Sequence, residues 1–206
     1  ACQGGKVIMN ILVTGAKGFV GKNLCVSLNN IRDDKDRTRP ELTIGEIFEY
    51  DIDTDPALLD DYCAKADFVF NLAGVNRPQN PEDFMHGNFG FASTLLDTLK
   101  KHKNTCPVMI SSSIQATCIG RYDSDYGRSK KMGEDLFLAN GFNPAFIFRL
   151  YGVFGKWSRP NYNTVVATFM YNVAHGLPLQ INNPDHELTL CYIDDVIAKF
   201  VDIMEN

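Results

Sequence analysis

The sequence predicts an α/β fold in which a parallel sheet is covered by helices on both faces. Three observations predict it. Short, almost continuously apolar segments alternate with segments of helical periodicity along the chain. A glycine-rich turn, Gly15-Ala16-Lys17-Gly18-Phe19-Val20-Gly21, links the first apolar segment to the first helical one. Further on, an apolar run ends in Ser111-Ser112-Ser113, ahead of Tyr126-Gly127-Arg128-Ser129-Lys130. That arrangement puts hydroxyls, a phenol and an ammonium near the carboxyl edge of the sheet, where such folds bind ligands.

Val7–Thr14 is the first strand, and Gly18–Asn29 has helical spacing through Phe19, Val20, Leu24 and Leu28. The charge-rich stretch Ile31–Leu42 reads as an exposed loop before a second strand at Ile44–Tyr50. Pro56–Lys65 is a short helix and Asp67–Leu72 a third strand. Asn88–His102 repeats apolar residues at Phe91, Leu95, Leu96 and Leu99, so it is helical. Pro107–Ile110 is the next strand, Tyr126–Asn140 a helix and Ala145–Leu150 a further strand. Helices at Asn163–His175 and Asp194–Met204 complete the series.

At 206 residues the chain suits one domain with a substantial core. Apolar residues at 45% and charged residues at 22% are ordinary for a globular protein. A net charge of −5 without a Lys/Arg run argues against a nucleic-acid partner, and no apolar run reaches the ~20 residues of a membrane helix. Residues 1–8 precede Met9, read as the initiator, and are expected to stand outside the fold as a non-native leader; the domain is expected to span 9–206. The six cysteines form no Cys-x-x-Cys pair and the four histidines no ligand spacing, so no metal site is expected. Cys25, Cys63 and Cys106 fall in or beside apolar segments and read as small buried hydrophobes. Reduced thiols fit a cytoplasmic setting.

Gly15, Gly18 and Gly21 stand where a dinucleotide-binding turn needs them. The first allows a tight turn, the second lets backbone approach a pyrophosphate, and the third lets helix and strand pack closely. The helix N-terminus adds free amides and the positive end of its dipole. Asp51, after the second strand, can accept hydrogen bonds from a ribose, which favours NAD over NADP. It lies further along than the usual ~20 residues. Arg32, Arg37 and Arg39 in the intervening loop could instead meet a 2′-phosphate, so NAD and NADP both stay open. Asn71-Leu72-Ala73-Gly74 ends the third strand on small residues, where a cofactor would cross the sheet edge. Asn88 either caps the helix that follows or braces the strand ends. The expected cofactor contacts are Gly15, Lys17, Gly18, Phe19, Val20, Gly21, Asp51, Leu72, Ala73, Gly74, Tyr126 and Lys130.

The chemistry points to a carbonyl or a secondary alcohol. Tyr126 and Lys130 share one helix face a turn apart. The ammonium is expected to lower the phenol from its ordinary ~10 toward neutrality, where acid/base catalysis works best. Ser113, at a strand end, can donate to the carbonyl oxygen while Tyr126 delivers a proton.

The segments Thr14–Gly21, Asn71–Ala73, Ser111–Ser113, Tyr126–Lys130 and Tyr192–Val196 resemble the extended short-chain dehydrogenase/reductase family. Within it, Gly74-Val75-Asn76-Arg77-Pro78, Ser111–Thr117, Phe154–Trp157 and Arg159–Asn163 are similar to the reductase domain of the CapF/WbjC type. The resemblance implies a Rossmann-type sheet with a partial C-terminal substrate lobe. It also implies NAD(P)H-dependent reduction of the 4-keto group of a UDP-2-acetamido-2,6-dideoxy-hexos-4-ulose, for N-acetyl-L-fucosamine in capsule or O-antigen. Ser113, Arg159, Asn161 and Asn163 are then the expected substrate contacts, and a homo-oligomer is the expected assembly.

Three departures stand out. Gly152 occupies a position where family members carry asparagine. The stretch from Ser113 to Tyr126 is longer than the subfamily leads one to expect. The chain also stops soon after Val196, without the rest of the substrate lobe or a cupin epimerase domain. Two other functions are compatible with the same residues: a nucleotide-sugar epimerase, and a dinucleotide-binding sensor without catalysis. A 4,6-dehydratase fits less well, because Ile114-Gln115 supplies no carboxylate after the serine.

Overall fold

The computed structural model describes residues 7–75, 80, 82–141, 144–162, 164–181, 183–185 and 187–205. Its centre is a five-stranded parallel sheet in the order β2-β1-β3-β4-β5. These strands are β1 (Ile8–Thr14), β2 (Thr43–Tyr50), β3 (Phe68–Asn71), β4 (Val108–Ser113) and β5 (Ala145–Leu150). The helices are α1 (Phe19–Arg32), α2 (Ala57–Lys65), α3 (Glu82–Phe84), α4 (Phe91–Lys101), α5 (Asp125–Ala139), α6 (Val165–Ala174) and α7 (Ile193–Asp202). Ile8 pairs with Thr43, so the first strand begins one residue inside the expected leader.

Strand alternation sorts the core into two layers. Ile11, Val13, Phe68, Phe70 and Met109 face α1 and α7, meeting Leu24, Leu28, Ile197 and Phe200. Leu12, Val69, Val108 and Ile110 face the other way, onto Leu59 of α2, Leu95 and Leu99 of α4 and Phe137 of α5. Cys25 and Cys63 are buried in these layers, and burial pushes both thiols up to about 12, as it does Cys106.

The chain leaves β1 toward β2 on one side, then crosses back to β3 on the other. The sheet therefore has its topological switch point between the carboxyl ends of β1 and β3, which opens a crevice there. This order is the five-strand doubly wound arrangement rather than the six-strand one, yet it serves the same end. Polar groups tie the crevice walls together. Thr14 Oγ1 donates to Asn71 Oδ1 at 2.9 Å, and the Ala73 amide donates to Thr14 Oγ1 at 3.3 Å.

Two expectations shift, and two features add to them. The expected helix at Asn88–His102 begins as α4 only at Phe91, because Met85–Gly90 forms a π-helical turn between α3 and α4. β4 extends through the three serines rather than ending at Ile110. β6 (Gly152–Phe154) and β7 (Leu190–Tyr192) form a separate two-stranded parallel sheet, each too short for a periodicity to show. α6 has no buried residue despite its apolar sequence, with Met170 and Val173 exposed.

The first turn depends on close backbone contact. Gly15 has φ +68, and a β-carbon on Gly21 would stand 2.1 Å from the Gly15 carbonyl oxygen and 2.8 Å from Ala16 Cα. Gly21→Ala should therefore destabilise the protein by about 3 kcal/mol, the upper end of ordinary overpacking. Urea unfolding is the check, and an unchanged midpoint would contradict this packing.

Candidate active site

The glycine turn has the shape of an anion cradle. Gly18 sits at the N-cap of α1 with ordinary backbone angles, and its amide donates to the Gly15 carbonyl at 3.0 Å. No side chain caps the helix and no acidic residue of its own lies in its first turn, which leaves the positive end of the helix dipole free for an anion. A β-carbon on Gly18 would meet only the Gly15 oxygen, at 3.1 Å. The space above Gly18 is thus open to a ligand, which fits a dinucleotide pyrophosphate.

Asp51 follows β2 at the same edge. Its carboxylate accepts from the Lys17 amide at 2.7 Å and the Ile52 amide at 2.8 Å, which aims it beside the turn. Lys17 itself reaches Asp53 with its ammonium. The three loop arginines lie elsewhere. The connection from α1 to β2 runs along the amino edge of the sheet, opposite the crevice. There Arg39 pairs with Asp202 and Glu205, Arg32 with Asp33 and Arg37 with Asp34. Those arginines do not reach a 2′-phosphate held at the carboxyl edge.

Leu72, Ala73 and Gly74 leave β3 directly over the turn. A β-carbon on Gly15 would approach the Ala73 amide nitrogen to 2.8 Å. Asn88, in the π turn, is buried and braces this exit rather than capping a helix. Its Oδ1 accepts from the Val75 amide at 2.9 Å, and its Nδ2 donates to the Val75 carbonyl at 3.1 Å and to Ser129 Oγ at 3.0 Å. One side chain thereby joins the β3 exit to α5. A π turn at a functional site is a recurring use of that geometry.

Helix α5 starts with Ser124, whose Oγ accepts from the Gly127 amide at 3.0 Å and so caps it. Three of its side chains, one turn apart, then meet the three serines of β4. Tyr126 lies near enough to the Ser113 hydroxyl for that hydroxyl to pull the phenol down. Lys130 Nζ donates to the Ser111 carbonyl at 3.2 Å. Glu134 accepts from Ser112 Oγ at 2.5 Å. Ser113 Oγ also accepts from the Gln115 amide at 3.2 Å, and Phe84 closes one side of the phenol with ring centroids 5.7 Å apart.

The electrostatics correct one expectation. Burial raises Tyr126 above the usual phenol value, and the Ser113 hydroxyl only partly offsets it. Lys130 lies 5.9 Å from the Tyr126 ring centroid, and desolvation by burial brings it down to about 8. Its ammonium therefore does not drive the phenol toward neutrality as the spacing suggested.

Arg159 and Asn161 are exposed in the segment between β6 and α6, with the Asn161 amide donating to Thr168 Oγ1 at 2.9 Å. Neither bonds to Ser113, Tyr126 or Lys130 among the described residues. Asn163 lies outside the described residues, as do Asn76, Arg77 and Pro78. Lys156 pairs with Asp194 at 2.9 Å, and its carbonyl accepts from Asn23 at 3.1 Å, which pins this segment to α1 and α7. Gly152 lines up against Leu190, whose Cδ2 would stand 3.0 Å from an added β-carbon. The residue that sequence reasoning missed is Glu134, although it continues the four-residue spacing of Tyr126 and Lys130.

A doubly wound sheet with a glycine cradle at its switch point, and a serine, a phenol and an ammonium at the next strand end, defines a fold of the dinucleotide-binding class. The chain belongs to the NAD dependent epimerase/dehydratase family, which it matches over residues 11–206. It is 41% identical over 201 residues to a protein of Pseudomonas aeruginosa described as UDP-2-acetamido-2,6-beta-L-arabino-hexul-4-ose reductase, covering 96% of this chain and 50% of that one. A UDP-glucuronate 4-epimerase 1 of Arabidopsis thaliana is 28% identical, covering 92% of this chain and 53% of its own. Among solved structures, the capsular polysaccharide assembling protein CapF from Staphylococcus aureus superposes with a TM-score of 0.78 at 40% identity, over 96% of this chain and 50% of that one. The chain spans about half the length of the curated relatives it matches.

Two predictions follow from this geometry. Gly18→Val should keep the fold but fill the cradle, abolishing dinucleotide binding in calorimetry; unchanged affinity would contradict the cradle. The second concerns Lys130. Below about pH 8 it is protonated in both folded and unfolded chains, whereas from there to ~10.4 only the unfolded chain keeps the proton. Its contribution to stability therefore rises with pH across that window. Tyr126, with its raised value, acts in the opposite sense only above ~10. Relative to Lys130→Met, the wild type should gain about 2 kcal/mol between roughly pH 8 and 9.5 in denaturant unfolding. A pH-independent difference would mean that the ammonium is not desolvated.

Proposed function

We propose that the protein is an NAD(P)H-dependent ketoreductase. Its substrate in this reading is a UDP-linked 2-acetamido-2,6-dideoxy-hexos-4-ulose, reduced at the 4-keto group on the route to N-acetyl-L-fucosamine. The observation that carries the reading is the joint placement of Ser113, Tyr126 and Lys130 beside the switch-point crevice. The identity to the Pseudomonas aeruginosa reductase supports the substrate class. Residues 9–206 then constitute the reductase domain, with Arg159, Asn161 and Asn163 on the sugar-nucleotide side. We read it further as a cytoplasmic homo-oligomer.

Gly15–Gly21, Asp51 and Leu72–Gly74 would hold the dinucleotide, which would supply the hydride for the carbonyl carbon. The chain's own residues manage the oxygen. Ser113 donates a hydrogen bond that orients and polarises the carbonyl. Tyr126 then gives its proton to the oxygen as charge develops there, so that no bare alkoxide forms. A phenol held above its ordinary value by burial is fully protonated at neutral pH, which suits the reductive direction. Lys130, still largely charged below about pH 8, lies close enough to steady the phenolate left behind.

The 28% identity to an epimerase motivates the second reading. An epimerase would use the same three side chains but would return its hydride and consume no cofactor. Dehydration is disfavoured by the loop after Ser113. There Gln115 uses its backbone amide on Ser113 and its side-chain oxygen on Ser124, and brings no carboxyl group.

Tyr126→Phe keeps the ring and removes the proton donor. Turnover of reduced nicotinamide with a UDP-4-keto sugar should fall by ~10²–10⁴, the range of a general acid, with dinucleotide binding retained. Near-normal turnover would show that the acid is another residue.

A further inference from the structure

We propose that Glu134, clamped by Arg149 and bonded to Ser112, is a positioning residue that sets the height and rotation of α5 over the end of β4. The proposal rests on the reading of Ser113, Tyr126 and Lys130 as the catalytic group. Glu134 is buried, with its side chain 1% exposed. Arg149 on β5 donates to it through Nε at 2.9 Å and through a terminal nitrogen at 2.6 Å, a two-point fork. Ser112 Oγ completes the shell at 2.5 Å. One carboxylate thus joins α5, β4 and β5.

Stability alone does not account for such a group. A buried ion pair repays its desolvation poorly, and apolar side chains of similar volume often hold a core as well or better. What the pair adds is direction. A fork of planar donors accepts a carboxylate in one orientation, whereas apolar contacts tolerate sliding. Direction matters here because Lys130 and Tyr126 lie one and two turns before Glu134 on the same helix. A slip of one residue along the helix moves the phenol by about 1.5 Å and turns it by ~100°, away from Ser113. Ser112 also lies between the two groups whose places matter most. Its neighbour Ser113 lies beside Tyr126, and the carbonyl of its other neighbour, Ser111, accepts from Lys130.

The test compares Glu134→Gln and Ser112→Ala in the wild-type and Tyr126→Phe backgrounds of the 206-residue protein. Glu134→Gln keeps volume while loosening the fork. Turnover at saturating cofactor and UDP-4-keto sugar should fall about tenfold or more, as small misplacements do, with KM and dinucleotide affinity nearly unchanged. In the Tyr126→Phe background the same change should cost less than about twofold, because the group it positions is gone. Ser112→Ala, which leaves the ion pair intact and spares the fold, should give a smaller loss of the same pattern. Hydrogen exchange supplies a readout independent of activity: amides in the first two turns of α5 should exchange faster in both variants, with α1 and α4 unchanged. Losses that simply multiply across the two backgrounds overturn the proposal. So does a uniform loss of protection across the protein with normal turnover per folded molecule. If Tyr126→Phe alone keeps full turnover, the reductase reading fails, while the exchange pattern in α5 still decides whether Glu134 sets its position.

Discussion

The seating of α5 against the carboxyl end of β4 is the constraint on which the site depends. Helices of doubly wound folds are ordinarily held by an apolar stripe, and α4 follows that rule with Ala92, Leu95, Leu96 and Leu99 buried. α5 does not. Its buried residues are Gly127, Ser129, Gly133, Glu134 and Phe137, so Phe137 is its one fully buried large apolar side chain, with Leu136 partly buried beside it. Burial of that phenylalanine contributes about 2–3 kcal/mol but specifies the helix's rotation less sharply than a full apolar stripe does. The polar contacts with three consecutive serines sharpen it. Packing keeps the helix on the sheet, and hydrogen bonds decide where on the sheet it sits.

The same helix is tied to the cofactor side by a chain of contacts across the crevice. Gly15 presses on Ala73, Thr14 bonds Asn71, and Asn88 grips both Val75 and Ser129. Lys130 lies where a β-carbon on Gly74 would meet it at 2.8 Å. A dinucleotide lying over the glycine turn and the β3 exit would therefore reach the face that carries Tyr126. The crevice brings together three segments far apart in sequence because the β2-to-β3 crossover carries the chain back past β1.

Much of this was legible in the sequence because it rests on local rules. The glycine triplet, the apolar strands and the four-residue spacing of Tyr126 and Lys130 each follow from backbone geometry within a few residues. What was not legible depends on distant partners. The pairing of Glu134 with Arg149 needs β5 beside α5, and the π turn at Met85–Gly90 is shaped by Asn88 reaching Val75. The direction of the tyrosine shift was misjudged for the same reason: spacing gives the lysine's turn of the helix, but only the fold shows that both groups are desolvated. The arginines of the α1–β2 loop show the converse error, since composition placed charge near Asp51 in sequence and topology put it at the opposite edge of the sheet. β6 and β7 carry three residues each, too few for alternation to register.

The central claim is that the Ser113–Tyr126–Lys130 group protonates a sugar oxygen while hydride goes to the same carbonyl for good. The most direct measurement incubates the protein with a UDP-2-acetamido-2,6-dideoxy-hexos-4-ulose and a reduced nicotinamide carrying deuterium at C4, and follows the sugar by NMR. A reductase leaves one deuterium on the carbinol carbon at sugar C4 and oxidises one equivalent of cofactor for each sugar converted. Sugar interconversion without cofactor consumption, or binding with no conversion of a competent substrate, would contradict the account.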